Sequence, residues 1–480
     1  MPHQMPSLVD RLLKHEDRVL FECADSIQTT YAEVLDLAAG AAMRDVARRL
    51  VFCLCDNEPG GVGGYLALMA ARAVPLMLNV ALSAPQVQTL ADAYHPGFIW
   101  LPSARALEFP AAIRVVEFKG YCLLSVGATG HPVHDDLALL LSTSGSTGSP
   151  KFVRLSHTNL LSNACSIAEY LQLHPEEVPI TTLSPSYTYG LSILHSHVLV
   201  GAKVALTTKT FFDRGFWDFL KSVRATSLGG VPYHYEMLKK LRFNRMELPS
   251  LRTLTQAGGR MDVELTREFA SHCARQGMRF FTMYGQAEAT ARVAYLPAHK
   301  ALEKVGSIGG AIPGGELWLK QDHEKAPDGG DAIGELIYKG SNVSMGYAQG
   351  YADLSRGDER NGVLCTGDLA RQDADGDYYI VGRLKRFLKL YGHRINLQDV
   401  EDWLAKLGHT VACAGQDDLL EVYLPQGTPE VAKGIKQTVV QYLKVTPGAV
   451  KIIAVDELPR SAAGKIQFSE LRAHGAVTLA

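Results

Sequence analysis

Residues 140–151 read LLSTSGSTGSPK, a run of serines, threonines and glycines closed by Lys151 and preceded by the apolar stretch LALLL at 137–141. A short continuous apolar run suits a strand buried in an α/β sheet better than a half-exposed one. Downstream, Leu160, Leu161, Ala164, Ile167, Ala168 and Leu171 recur at helical spacing after Thr158 and Asn159, which predicts an amphipathic helix as the next long element. A loop leaving the end of a strand is a common ligand site in such folds. This one offers many N–H and O–H donors and a point charge, Lys151, for phosphate. A Walker-type loop is excluded, because counting from Gly145 the second glycine it requires is Pro150, and Phe152 stands where it needs a hydroxyl. Taken alone, the stretch reads either as a mobile donor loop over a triphosphate or as a solvated Gly/Ser turn.

The whole chain narrows the choice. Its 480 residues and formal net charge of −2 describe an ordinary globular protein of two or three domains. Lys and Arg are spread along it with no aromatic-and-basic stripe, so nucleic acid is not an expected partner. The first residues, MPHQMPSLVDRLLKHEDRV, are too charged for a secretory signal. No run approaches the roughly 18 apolar residues of a membrane span, so a cytoplasmic location is expected. Eight cysteines are scattered without CxxC or zinc spacing, and Cys53 and Cys55 alternate with apolar neighbours as buried structural thiols would. His195 and His197 lack an identifiable third ligand and read as core or pocket histidines.

Between Val51 and Val231, strand-like runs (LVFCLCD, AVPLMLNVAL, GFIWL, LALLLS, ITTLS, KVALTT, SLGGVP) alternate with helical stretches, which predicts parallel βαβ layers. Between Gly306 and Leu369 the texture becomes Gly-rich with short strands such as GELWLK and GELIYKG, as in a small antiparallel sheet or β-barrel-like subdomain. From Gly382 a basic segment, GRLKRFLKLYGHR, leads into two helical candidates and three strands, enough for a small α+β domain. The predicted organisation is a large N-terminal domain over residues 1–381 and a small C-terminal domain over 382–480.

Five stretches, in order over nearly the whole chain, carry a resemblance. TSGSTGSPK at 143–151 resembles the phosphate loop of the acyl-adenylate-forming (AMP-binding) superfamily, which contains acyl-CoA synthetases, nonribosomal peptide synthetase adenylation domains and luciferases. TMYGQAEAT at 282–290 is similar to its Tyr-Gly-x-Thr-Glu motif, LCTGDLA at 364–370 to its Thr-Gly-Asp motif, GRLKRFLKLYGHRI at 382–395 to its hinge, and LPRSAAGKI at 458–466 to its C-terminal lysine motif. The resemblance implies a large α/β body with a mobile small domain, and ATP-dependent activation of a small carboxylic acid to an acyl-AMP with pyrophosphate release. The acyl group then passes to a thiol, of coenzyme A or of the phosphopantetheine of a separate acyl or peptidyl carrier protein. No carrier region follows Lys465, so the thiol is expected in trans.

The chemistry accounts for such residues. Attack of one anion on another is opposed by charge, so the triphosphate and the carboxylate must both be screened. By the resemblance, Thr143, Ser144, Gly145, Ser146, Thr147, Gly148 and Lys151 hold the phosphates, and Glu288 holds Mg²⁺, which favours hard oxygen ligands. Tyr284 and Gly285, with Gly258 and Gly259, receive adenine; Asp368 accepts from the ribose diol; Arg383 lies beside the nucleotide. Lys465 bridges the carboxylate and α-phosphate and is the leading catalytic candidate with Glu288 and Lys151. Lys385 takes the hinge position, and a solvated positive face stays open as the lesser alternative for the other cations of that segment.

Three departures stand out. Ala287 replaces the motif's threonine, a loss of about 1 kcal/mol unless a neighbour such as Thr290 supplies the hydroxyl. Phe152 replaces the glycine after the lysine, and SPSYTYG at 184–190 has no histidine, leaving Tyr187, Tyr189 and Gly190 to line the acyl pocket. Two further readings stay open: adenylation with a non-thiol acceptor or of a non-carboxylate oxyanion, and a nucleotide-binding pseudoenzyme.

Overall fold

The computed structural model describes residues 13–24, 26–127, 131–142, 151–320, 333–384, 386–390, 393–460, 466–473 and 477–479. By compactness the chain divides into one unit of Met1–Leu317 with Tyr338–Leu364, and a second of Trp318–Ile337 with Cys365–Ala480.

The first unit is built on two sheets. In an eight-stranded sheet, Leu50–Cys55 pairs in parallel with Val74–Asn79 and Phe98–Pro102, and Val74–Asn79 in parallel with Leu137–Ser142. In a nine-stranded sheet, Val204–Ala205, Pro179–Ile180, Ser227–Gly230, Thr253–Gln256 and Arg279–Tyr284 follow one another in parallel. Both sheets finish in antiparallel edges. Every residue of Leu50–Cys55 is buried, as expected of an unbroken apolar run covered on both faces. Each strand-like run between residues 51 and 231 contributes a strand to one of these two sheets, though ITTLS gives only Ile180 and KVALTT only Val204–Ala205.

One strand escapes the sequence reading. Phe152–Ser156 pairs antiparallel with Leu137–Ser142 before the helix His157–Leu171 begins. Arg154 interrupts its apolar pattern, yet it is fully buried because its guanidinium is answered: Nε donates to Tyr347 O at 3.1 Å, one terminal nitrogen to Met345 O at 3.1 Å, and Glu359 lies at 3.0 Å. The helix is capped by Ser156, which accepts from Asn159 N while the Asn159 side chain accepts from Ser156 N. Leu160, Ala164, Ile167 and Leu171 form its buried face, as the spacing predicts.

The second unit holds the greater part of a four-stranded sheet made of Gly315–Lys320, Ile333–Gly340, Val363–Gln372 and Tyr378–Arg383. Beyond it, Ala412–Gln416, Leu419–Pro425, Val450–Val455 and Val477–Thr478 make another four-stranded sheet, accompanied by the helices Leu397–Lys406 and Pro429–Leu443. Leu390, Val400, Leu404, Val422, Ile435 and Ile452 pack its core. Arg386 pairs with the buried Glu401 at 2.6 Å and donates to Cys413 O at 3.0 Å, which sets aside the alternative of a solvated face for this residue. Among the described residues no helix is long and apolar enough to cross a membrane.

Candidate active site

Parallel pairing of Thr253–Gln256 with Arg279–Tyr284 brings the chain segments that follow them, Gly258-Gly259 and Tyr284-Gly285, to the same edge of the nine-stranded sheet. Gly258 has φ +85°, and a Cβ there would stand 2.5 Å from Tyr187 Oη. Gly285 is equally constrained, since its Cβ would fall 1.7 Å from Ala291 O. The absence of side chains at these positions is thus required by the turns themselves, and it leaves half-buried Tyr284 at the strand end.

Glu288 lies in the short turn Ala287–Ala289 that follows. Its Oε1 accepts from the Tyr347 hydroxyl at 2.7 Å, and its backbone carbonyl accepts from Ser344 N at 2.9 Å. The ammonium of Lys151 sits 3.4 Å from the centroid of the same Tyr347 ring, with the Arg360 guanidinium 4.8 Å from it. Burial, reinforced by the Glu288 carboxylate, pushes the Tyr347 hydroxyl up to about 12, so it stays a donor. Tyr347 thereby links two residues 137 positions apart in sequence, 288 less 151, that the motifs named separately. Nothing in its own surroundings, SMGYAQG, marks it.

The segment after Glu288 is strained. Thr290 has φ 63° and ψ −60°, and Ala291 N donates to Ala289 O at 2.6 Å, which closes a γ-turn that non-glycine residues rarely adopt. The strain is held by Asn342, whose amide donates to Ala289 O and Arg292 O at 2.9 and 2.8 Å. Thr290 Oγ1 donates to Asn342 O at 2.7 Å, and Thr188 Oγ1 donates to the Thr290 carbonyl. The proposed replacement for the hydroxyl missing at Ala287 therefore does not stand, because the proton of Thr290 is committed to the fold. Phe152 has a packing reason: it is 4% exposed and meets Tyr94 edge-on at 5.3 Å.

Tyr187 precedes and Tyr189 opens the helix Thr188–Leu199, where Gly190 packs in the first turn against the Ser184 carbonyl. Tyr189 is buried with its hydroxyl 2.8 Å from Thr255 O, and its ring carries the guanidinium of Arg292 at 4.0 Å. Next to this pair lies a small cavity of about 20 Å³ lined by Ile167, Leu171, Ile193, His197, Thr255 and Arg292, among others. Arg292 was missed from sequence, since an arginine two residues past a motif carries no pattern of its own. Burial lowers His195 to about 3 and His197 to about 4, so both stay neutral, as core and pocket histidines.

In the second unit, buried Asp368 faces exposed Arg383 across paired strands, with Oδ1 2.8 Å from Nε. Gly367 turns with φ +73°, and Thr366 Oγ1 donates to Leu336 O while accepting from Asp368 N. Thr143, Ser144, Gly145, Ser146, Thr147, Gly148, Lys385 and Lys465 lie outside the described residues.

The AMP-binding enzyme family matches residues 9–348. A feruloyl-CoA synthase of an Amycolatopsis species is 29% identical over 409 residues, covering 80% of this chain and 79% of the relative. An indoleacetate–CoA ligase of Aromatoleum aromaticum is 30% identical over 349 residues, covering 70% and 66%. The fold is also that of the o-succinylbenzoate coenzyme A synthetase of Bacillus subtilis solved with ATP and magnesium ion, with a TM-score of 0.76 at 22% identity over 98% of this chain and 99% of that one. With its motifs in order and most of its length matched, the chain belongs to the AMP-binding enzymes, the acyl-adenylate-forming superfamily.

Proposed function

We propose that this chain is an ATP-dependent acid–thiol ligase. A carboxylate oxygen of the acid attacks the α-phosphorus of ATP, the bond to the bridging oxygen breaks, and pyrophosphate leaves. The thiol sulfur of coenzyme A then attacks the acyl carbon of the acyl-AMP, AMP leaves, and the thiol proton passes to solvent. The observation that carries this reading is the meeting of Lys151 and Glu288 on one tyrosine, which puts a phosphate-screening cation and a hard oxygen ligand in a single small site.

That donor set suits Mg²⁺, since Glu288 is a half-buried carboxylate whose rotamer Tyr347 fixes, and Mg²⁺ asks for one or two carboxylates beside substrate phosphates rather than a full protein cage. When bound, the metal would neutralise phosphate charge. Lys151 and the hydroxyls of Thr143, Ser144, Ser146 and Thr147 hold the β- and γ-phosphates in this reading. Tyr284 stacks on adenine, Asp368 accepts from the ribose diol with Arg383 beside it, and Lys465 bridges carboxylate and α-phosphate. Lys385 is the hinge between domains 1–381 and 382–480.

The relatives named as CoA ligases favour coenzyme A over a non-thiol acceptor. A separate carrier protein remains the second thiol acceptor to test. A cytoplasmic location belongs to the same proposal, supported by cysteine usage without disulfide spacing.

The test is pyrophosphate release from the purified protein with Mg-ATP and a panel of aryl, alkyl, hydroxy and dicarboxylic acids, with and without coenzyme A or a loaded carrier. Acid-dependent release raised by coenzyme A is expected, and Glu288→Gln should lower it about 10²–10³-fold, the scale of losing one electrostatic stabiliser. ATP binding without release across the panel would overturn the ligase reading.

A further inference from the structure

Tyr347 carries two cations. The Lys151 ammonium stands 3.4 Å from the centroid of its ring and the Arg360 guanidinium 4.8 Å, so both gather on a ring whose hydroxyl meets a single carboxylate, Glu288. Among the described residues no carboxylate lies within ion-pair distance of either cation. Like charges held together repel, and an anion that bridges them removes the repulsion.

The loop that carries half-buried Arg360 has acids enough to answer it and uses them elsewhere. Asp353 pairs with Arg356 at 2.9 Å and accepts from Gln349 N at 2.7 Å. Glu359 is shared by Arg154 at 3.0 Å and Arg356 at 3.5 Å. Asp358 Oδ1 accepts from the backbone N–H groups of Arg360 and Asn361, at 2.8 and 3.2 Å. These contacts also fix where Arg360 stands. Glu359 N donates to Met345 O at 2.9 Å, Val363 N to Arg360 O at 3.0 Å, and Gly340 N to Gly362 O at 3.0 Å, so the chain is tied down on both sides of it. An arginine fixed in advance loses little freedom on binding, and its planar fork matches phosphate oxygens.

We propose that Arg360 is a second phosphate-binding cation, which with Lys151 holds the end of ATP that departs as pyrophosphate. The proposal rests on the reading that Lys151 and Glu288 form the ATP site. It concerns the β- and γ-phosphates, because Lys151 is their cation in that reading and Arg360 shares its ring. Negative charge grows on this group as the bond to the α-phosphorus breaks, so a cation already in place favours its departure. AMP, which lacks these phosphates, makes no use of Arg360.

Calorimetric affinities for ATP with Mg²⁺ and for AMP test it, on wild type, Arg360→Met, Arg360→Lys and Arg356→Met. Arg360→Met should weaken ATP about tenfold or more, the scale of one hydrogen bond to a charged group, and leave AMP nearly unchanged. Arg360→Lys should keep part of the ATP affinity. Arg356→Met removes an exposed arginine of the same loop that Asp353 and Glu359 already answer, and should leave both affinities nearly unchanged. Equal losses for ATP and AMP in Arg360→Met, an unchanged ATP affinity, or a loss matched by Arg356→Met overturns this proposal, and the ligase reading stands if acid-dependent pyrophosphate release persists. The expected contrast at Arg360 without release on any acid overturns the ligase reading alone. A wild type that binds no ATP overturns both.

Discussion

Arg154 and Arg292 are buried alike, at 0% and 2% exposure, but their surroundings are opposite. Arg154 donates to three backbone carbonyls, those of Tyr347, Met345 and Arg356, and pairs with Glu359. Arg292 has a ring beneath it, the Tyr170 hydroxyl beside it, an unpartnered Nε and, among the described residues, no carboxylate within ion-pair distance. The first guanidinium serves the fold, tying the strand Phe152–Ser156 to Gly346–Ala348 and so placing Tyr347 between Lys151 and Glu288. The second lines a small cavity. A buried charge that the protein fully answers is one the fold can carry at little cost.

The largest effect on this comparison should come from acid. His195, His197 and His234 are held at about 3, 4 and 4 by burial, below the ordinary value near 6.5. The unfolded chain takes up these protons first, so stability that is complete above about pH 6.5 is lost as pH falls towards 4, on the order of several kcal/mol. His197 lines the Arg292 cavity, and its protonation would set a second cation there. Thermal midpoints from pH 7 to pH 4 check this, and the acid slope should flatten in His197→Gln; an unchanged slope would remove His197 from the account.

Arg154→Met should follow, with a loss of about 3–5 kcal/mol in stability, because it removes the donor to the Tyr347, Met345 and Arg356 carbonyls and the partner of Glu359. Denaturant unfolding measures it. Activity should fall with it, since Tyr347 is carried by the strand that Arg154 secures.

Tyr347→Phe keeps the ring under Lys151 and deletes only the donor to Glu288. A hydrogen bond to a charged group is worth about 1.5–3 kcal/mol, so kcat/KM for pyrophosphate release should drop about 10–100-fold with the melting temperature nearly unchanged. Equal activity would show that Glu288 needs no anchor.

The smallest effect is the sharpest contrast with Arg154. Arg292→Met should change stability by no more than about 1 kcal/mol, in either direction, because a buried unpaired charge replaced by an apolar side chain of similar length loses little. A loss as large as that of Arg154→Met would make Arg292 a structural residue.

Much of this was legible. The apolar runs are strands because continuous burial leaves no alternation to read, and the spacing of Leu160, Ala164, Ile167 and Leu171 is a helix face. Glu288 and Lys151 were legible because their chemistry constrains their neighbours into motifs. The strand Phe152–Ser156 was not, since a buried arginine in its middle looks polar until its partners are known. Neither Tyr347 nor Arg292 could be found, as each owes its role to residues far away in the chain: Glu288 and Lys151 for one, Tyr189 and the cavity lining for the other. The hydroxyl of Thr290 was misjudged because only the γ-turn and Asn342 reveal where its proton goes.

By itself the sequence determined the α/β class, the family and the motifs in which Lys151 and Glu288 stand, because these depend on local pattern and on short motifs whose spacing is chemistry. Tertiary structure alone decided how the strands divide between two sheets, which tyrosine joins Lys151 to Glu288, and that one buried arginine is answered by carbonyls and a carboxylate while the other keeps an unpartnered Nε. The physical reason is that the fate of a charge or a hydroxyl is set by the partners within a few ångströms of it, and those partners come from segments that only folding brings together.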